Sequence, residues 1–305
     1  MIVMIDSQKQ ISRAIHTLCQ WMDEHFDRFK PAAGIGLESF SHLKPFGELA
    51  LMLYSFSNPK RRISNPELLG WLCTSGKILH HRAEKFGDEI NWKKMNNTIA
   101  QNPEVGSALL IFPALKVVTG NSTYWDYYVN DLLSQAGSVY AAAYPDLAFA
   151  RDLSGLGNCH QQAIAKLFDT MDDQDEDIHT TTSTLSLITH YVFLATKMGF
   201  RNIDLPAEQS SRLKGCLVKA LELNIEKKNF DLTGEILLCM NWLNFKNVPS
   251  YHVGLELLFE TISMYGYVPG SSRNSKNNDV FKQNYHASLM ALAAIGHASM
   301  IENLN

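Results

Sequence analysis

The sequence predicts an all-α protein built from antiparallel helical hairpins. Apolar residues recur at steps of three and four along most of the chain, as Ile11, Ile15 and Leu18 do, which places them on one face of a helix. No segment shows the alternation of apolar and polar residues that marks a half-buried strand. Links such as residues 228–230 are short, and links of that length place consecutive helices side by side.

Helices connected in this way form an irregular bundle, a superhelical solenoid or a closed α/α toroid. The sequence lacks a strict repeat of about 34 or 40 residues, which disfavours the regular solenoids. We therefore expect an α/α toroid or partial toroid, with an irregular helical bundle as the alternative. Residues 1–305 are predicted to form a single all-helical domain, with a subdivision near residues 170–178 as the other reading.

The first two helices are predicted from their apolar faces and from proline. Helix 7–29 ends before Pro31, and helix 38–56 contains Pro45 as a kink or a boundary.

A third helix is predicted to start at Asn65-Pro66-Glu67, because Asn caps free N–H groups, Pro fits the first turn and an acid faces the helix dipole. Gly87 and two asparagines limit residues 80–102 to a short helix, and another helix follows over residues 103–118.

The second half is predicted to hold seven longer helices, at residues 126–140, 145–169, 177–198, 206–227, 231–244, 249–265 and 280–300. The acidic run 172–177 lacks the ligand spacing of a calcium loop and is interpreted as a solvated loop. Residues 269–278, rich in Gly, Ser and Asn, are predicted to form a mobile loop.

Composition excludes several classes of function. Hydrophobic residues make up 46% of the chain and charged residues 19%, a balance that supports a sizeable core. The net charge is −4 and residues 60–62 form the single basic triplet, so no nucleic-acid partner is expected. The longest apolar stretches, such as residues 108–115, fall short of the roughly 18 residues of a membrane span, so no membrane partner is expected either.

The cysteines and the N-terminus predict a cytoplasmic protein. The five cysteines are odd in number and never form a CxxC pair, which argues against a disulfide framework and a structural zinc site. The first residues lack the basic start and long apolar core of a secretory signal.

One predicted helix carries a histidine within an apolar run. His190 is flanked by Ile188 and Val192 and is expected to lie in a dry environment. An imidazole there can be tuned for general acid–base catalysis. The alternative is a core histidine that is hydrogen-bonded to a carbonyl or a threonine.

A second helix carries Asp231, Glu235 and Cys239 at steps of four, which stacks them along one face. Asp231 is interpreted as an N-cap. Apolar residues follow Glu235 at once, and an apolar environment raises the pKa of a carboxyl group. Glu235 is therefore a candidate acid or base, with a structural tie between helices as the alternative.

A third helix carries His286 and His297, eleven residues apart on one side. That separation prevents the two imidazoles from binding one metal ion without ligands from other helices. Small residues between them allow a neighbouring helix to approach closely.

These segments, residues 187–200, 231–243 and 285–289, resemble an uncharacterised bacterial family of α-helical, toroid-like domains found near natural-product biosynthesis genes. The resemblance covers mainly residues 177–300, and Lys197-Met198 stands where relatives have an acidic and an aromatic residue. It implies a shared fold and a shared pocket without naming a reaction.

The function predicted on this basis is a small-molecule-binding protein or an enzyme of bacterial natural-product metabolism, whose ligand is a small molecule or a peptide intermediate. The alternative is a non-catalytic helical protein that binds a peptide or a carrier protein. The sequence leaves a homo-oligomer open and identifies no cofactor or metal. The residues predicted to act in catalysis are His190, Glu235 and His286, and those predicted to contact the substrate are His179, Asp231, Cys239 and Tyr285.

Overall fold

The protein is seen in a computed structural model that describes residues 2–30, 37–89, 160–172, 181–270 and 279–302, with six isolated positions at 114, 120, 149, 152, 153 and 158. Most of these residues are helical, which confirms the all-α class. One pair of two-residue strands accompanies the helices: β1, Arg61–Arg62, runs antiparallel to β2, Ile301–Glu302, with Arg61 opposite Glu302.

The described helices follow the predicted order. They are α1 Ile2–Glu24 with a 3-10 turn at Phe26–Arg28, α2 Leu37–Phe56, α3 Pro66–Glu89, α4 His160–Asp172, α5 Thr182–Thr196, α6 Ala207–Glu226, α7 Phe230–Trp242, α8 Pro249–Tyr265 and α9 Val280–Ala298. None of these described helices has both the length and the hydropathy that crossing a membrane requires.

The predicted start of α3 is confirmed. The backbone N–H of Leu68 donates to Asn65 Oδ1 over 2.9 Å, and Pro66 occupies the first helical position. The prediction of a separate short helix within residues 80–102 is wrong for residues 80–89, because α3 continues to Glu89. Ala83 and Phe86 are buried in this last part of the helix, so packing outweighs the low helical propensity of Gly87.

Two other predicted helix features are resolved. Pro45 lies inside α2, so it is not a helix boundary, and the alternative, a kink, stays a prediction. Asp231 is not an N-cap, because α7 begins one residue earlier and Asn229 is its cap. The helices predicted over residues 103–118 and 126–140 fall almost entirely outside the described residues, as do residues 271–278 of the predicted loop.

The chain divides into two compact units. The first comprises Met1–His25, Pro59–Gly70 and Ile164–Asn305, and α7 lies at its centre, in contact with α5, α6, α8 and α9. Every residue of α7 except Asp231 is buried. Helix α1 packs against α8 and α9. These contacts describe a bundle around one helix; the toroid and the number of domains stay predictions.

The second unit comprises Phe26–Asn58 and Trp71–Ala163. Arg82 joins its elements: the guanidinium donates to the carbonyl oxygens of Phe26 and Phe29 over 2.7 and 2.8 Å and pairs with Asp27. The Phe26 carbonyl oxygen also accepts from the backbone N–H of Phe29 over 3.1 Å, so Arg82 gives it a second donor and ties α3 to the turn.

Candidate functional site

The site lies in the first unit, where α9 packs closely against α7 at Gly234. Gly234 creates this approach: a Cβ built on it would lie 2.9 Å from the Cβ of Met290, too short for a real contact. Glu235 follows Gly234, and His286 lies one helical turn before Met290. Because glycine has no side chain, α9 can approach α7 here and place His286 next to Glu235.

The carboxyl group of Glu235 is held from two sides. His286 Nε2 lies 3.1 Å from Oε1, and the Thr189 hydroxyl of α5 lies 2.6 Å from Oε2, a distance typical of a charge-assisted hydrogen bond. The Glu235 side chain is 5% exposed, whereas that of His286 is 29% exposed. A buried carboxylate is thus connected through an imidazole to the protein surface.

The surroundings of Glu235 shift its pKa in opposite directions. Burial raises the pKa of the carboxyl group, whereas the His286 hydrogen bond, the charges of His286 and His190 and the Thr189 hydroxyl lower it, and the net effect is a pKa below 4.5. The group is therefore ionised at neutral pH. Because the folded pKa is depressed, this ionisation stabilises the protein above about pH 4.5, and the contribution is lost as the pH falls through the folded pKa.

His190 takes a different position from the expected one. It is half-buried rather than dry, and its ring stacks on Phe193 with centroids 6.0 Å apart. Its neighbour Thr189 makes the hydrogen bond to Glu235. His190 acts on Glu235 through charge, since a positive imidazole there lowers the carboxyl pKa.

Three of the four residues predicted to contact a substrate are described. Cys239 is fully buried, its Sγ lies 3.8 Å from the carbonyl oxygen of Thr189, and burial followed by the Glu235 charge raises its pKa far above the ordinary value. Asp231 is half-buried in the first turn of α7, and Tyr285 is 8% exposed and stacks on Phe281. His179 lies outside the described residues, and the substrate-binding role of all four stays a prediction.

His297 lies away from this site, deep in the same unit. It is 3% exposed and meets the Trp242 ring edge-on, with centroids 5.6 Å apart. Burial, reinforced by the positive charges of Arg61 and Lys246, lowers its pKa to about 3. The imidazole is therefore neutral at physiological pH, whereas His286 faces a carboxylate.

The region that holds these residues matches a known family. Residues 16–296 match a family described as a domain of unknown function, DUF6895. The chain belongs to this family. Thr189, Glu235 and His286 all lie within the matched DUF6895 region. No curated protein and no solved structure matches the chain. Family membership leaves the bacterial origin and the gene context as predictions.

Thr189 is the site residue of this DUF6895 chain that sequence reasoning missed. The feature of the sequence that could have identified Thr189 is a hydroxyl side chain inside an apolar run, one position before His190. Asn241 and Tyr251 were missed as well; the Tyr251 hydroxyl donates to Asn241 Oδ1 over 2.8 Å, and Asn241 Nδ2 donates to the Ala294 carbonyl over 3.2 Å. These bonds connect α7, α8 and α9 about two turns from Glu235.

The chemistry open to this arrangement is proton transfer. A fixed carboxylate orients an imidazole and stabilises its protonated form, and a half-exposed imidazole can exchange a proton with a bound molecule. Within the described ranges, no three His, Cys, Asp or Glu side chains are grouped to hold a metal ion.

Proposed function

We propose that this chain binds a small organic molecule where His286 reaches the surface, and that the Glu235–His286 pair transfers a proton to or from it. One observation carries the proposal: a carboxylate that is 5% exposed is hydrogen-bonded to an imidazole that is 29% exposed. Burying a carboxylate costs several kcal/mol unless it is paired, so such a group persists as a structural tie or as a working group.

The proposed roles differ between the two residues. His286 is the group that touches the ligand and carries the proton, because its ring is accessible. Glu235 is a positioning residue, since its carboxylate fixes the orientation of the imidazole and stabilises the imidazolium. His190, half-buried beside Thr189, places a second imidazole near the Glu235 carboxylate.

The proposed ligand class is a small-molecule or peptide intermediate of bacterial natural-product metabolism. Support comes from the resemblance of residues 187–200, 231–243 and 285–289 to helical domains found near such biosynthesis genes. A ligand that contains an ionisable N–H, O–H or activated C–H bond fits a site that supplies one proton donor and acceptor.

Retention of metabolites tests this proposal. The purified protein is incubated with a metabolite extract, separated from free solutes and analysed by mass spectrometry, in parallel with H286Q and with H252Q. His252 is exposed on α8 and serves as the matched control. We expect a mass feature that is retained by the wild type and H252Q and lost in H286Q. Equal retention by all three proteins, or by none, would contradict the proposal.

A further inference from the structure

The Thr189 hydroxyl faces two hydrogen-bond acceptors. Its Oγ1 lies 2.6 Å from Glu235 Oε2 and 2.8 Å from the carbonyl oxygen of Ser186. A hydroxyl has one hydrogen and two lone pairs, and both an ionised carboxylate and a carbonyl oxygen can only accept. While Glu235 is ionised, one hydrogen must therefore serve two oxygens.

A proton on Glu235 Oε2 resolves this conflict. The carboxylic acid then donates to Thr189 Oγ1, and the Thr189 hydrogen turns fully to the Ser186 carbonyl. The two acceptors, Thr189 Oγ1 and the Ser186 carbonyl oxygen, then each have a hydrogen of their own. The hydrogen bond between His286 Nε2 and Oε1 joins the same two atoms in both states, because it uses the other oxygen of the carboxyl group, and it is stronger while that group is ionised.

Because Thr189 and Glu235 are buried, their hydrogen bonds to each other affect the stability of each protonation state. Thr189 is 1% exposed and Glu235 is 4% exposed, so solvent water does not complete their hydrogen bonds. The charges that act on Glu235 come from His286 on α9 and His190 on α5, and Cys239 on α7 also faces the carboxyl group. A buried polar group without a partner costs about 1–3 kcal/mol.

We propose that Thr189 is a hydroxyl switch that satisfies Glu235 in both of its protonation states, as donor to the carboxylate and as acceptor from the carboxylic acid. In the switch a proton from solution forms the Oε2–H bond of Glu235. No heavy-atom bond forms or breaks. The Thr189 hydroxyl rotates from the carboxylate towards Ser186. Under the proposed function, on which this consequence rests, the pair takes up a proton without leaving a buried charge unpaired.

The Ser186 carbonyl carbon reports the switch, because a stronger hydrogen bond to a carbonyl moves its carbon resonance downfield. The protein is labelled with carbon-13 at the Ser186 carbonyl and the Glu235 carboxyl carbon, and both resonances are followed against pH. We expect them to shift with one midpoint in the wild type and in T189S, which keeps the hydroxyl. In T189V the Ser186 resonance should stay constant while Glu235 titrates.

E235Q provides the same test at neutral pH if acid unfolds the protein before Glu235 titrates. Its amide N–H can donate to Thr189 as the carboxylic acid would, so the Ser186 resonance should move downfield relative to the wild type. The double variant E235Q/T189V should show no such shift relative to T189V. A Ser186 resonance that ignores both protonation and E235Q, or that moves equally in the T189V background, overturns the switch.

These measurements use no ligand, which separates the two proposals. Loss of the switch would leave the metabolite-retention result of H286Q unchanged. Conversely, a failure of the wild type to retain any metabolite would leave the coupling between Ser186 and Glu235 intact.

Discussion

Gly234 and Met290 bring α7 and α9 almost backbone to backbone. A Cβ on Gly234 would lie 2.9 Å from the Met290 Cβ and 3.2 Å from its carbonyl carbon, so even a methyl group does not fit without moving a helix. The contact lies one residue from Glu235 and one turn from His286. The geometry of the candidate site therefore depends on Gly234, a residue that has no functional group.

G234A is expected to destabilise the protein, because a methyl group forced between two packed helices costs about 1–3 kcal/mol. Urea unfolding measures the effect. G215A is the matched control: Gly215 lies in α6 with nothing within 4 Å of the added Cβ, so alanine should be neutral or raise stability by about 0.5–1 kcal/mol through helix propensity. Equal stability of the two variants would show that α9 is not fixed at this contact.

Y251F is expected to destabilise the protein by about 1–3 kcal/mol, because it leaves the buried Oδ1 of Asn241 without its donor. The measurement is again the free energy of unfolding in urea. Tyr265, 47% exposed at the end of α8, gives the control Y265F, which should change stability by less than about 0.5 kcal/mol. A Y251F protein as stable as Y265F would contradict a role for Asn241 in joining three helices.

His297 should make stability depend on pH. Its pKa is about 3 in the folded protein and 6.5 ordinarily, so below pH 6.5 the unfolded chain binds a proton that the folded chain does not. Stability is complete above pH 6.5 and falls by up to about 1.4 kcal/mol per pH unit as the pH decreases towards 3.

Urea unfolding between pH 7 and pH 5 checks this slope. H297Q should unfold with a shallower dependence on pH than the wild type, whereas H252Q, altered at an exposed histidine, should keep a steeper slope than H297Q. Parallel pH profiles for H297Q and the wild type would show that His297 titrates normally.

The ends of a helix were predictable from the sequence where residues that start or stop a helix lie at those ends. The predicted and the observed α8 both begin at Pro249 and end at Tyr265. Helix α3 begins at Asn65-Pro66 as expected. The end of α3 was not predictable, because Gly87 weakens the helix locally while the burial of Phe86 maintains it. Propensity is a local quantity, and burial depends on helices distant in sequence.

The candidate site was predictable in part. Glu235 and His286 were recognisable as polar residues on apolar helices, and the structure brings them together. Their meeting depends on the approach of α9 at Gly234, which no local pattern encodes. On α5 the contact falls on Thr189 rather than His190, because one residue turns a helix face by about 100° and tertiary packing sets that rotation.

The stability of E235Q tests most directly whether Glu235 is a working group or a structural tie. Burial and the attraction of His286 act in opposite directions on this carboxyl group, and glutamine keeps its shape without the charge. E222Q, at an exposed position of α6, is the matched control. If Glu235 serves the site, the free energy of unfolding at pH 7 should differ between E235Q and E222Q by no more than about 1 kcal/mol. A loss of about 3–5 kcal/mol in E235Q, the usual cost of breaking a buried ion pair, would contradict the proposed function and identify Glu235 as a tie between α5, α7 and α9.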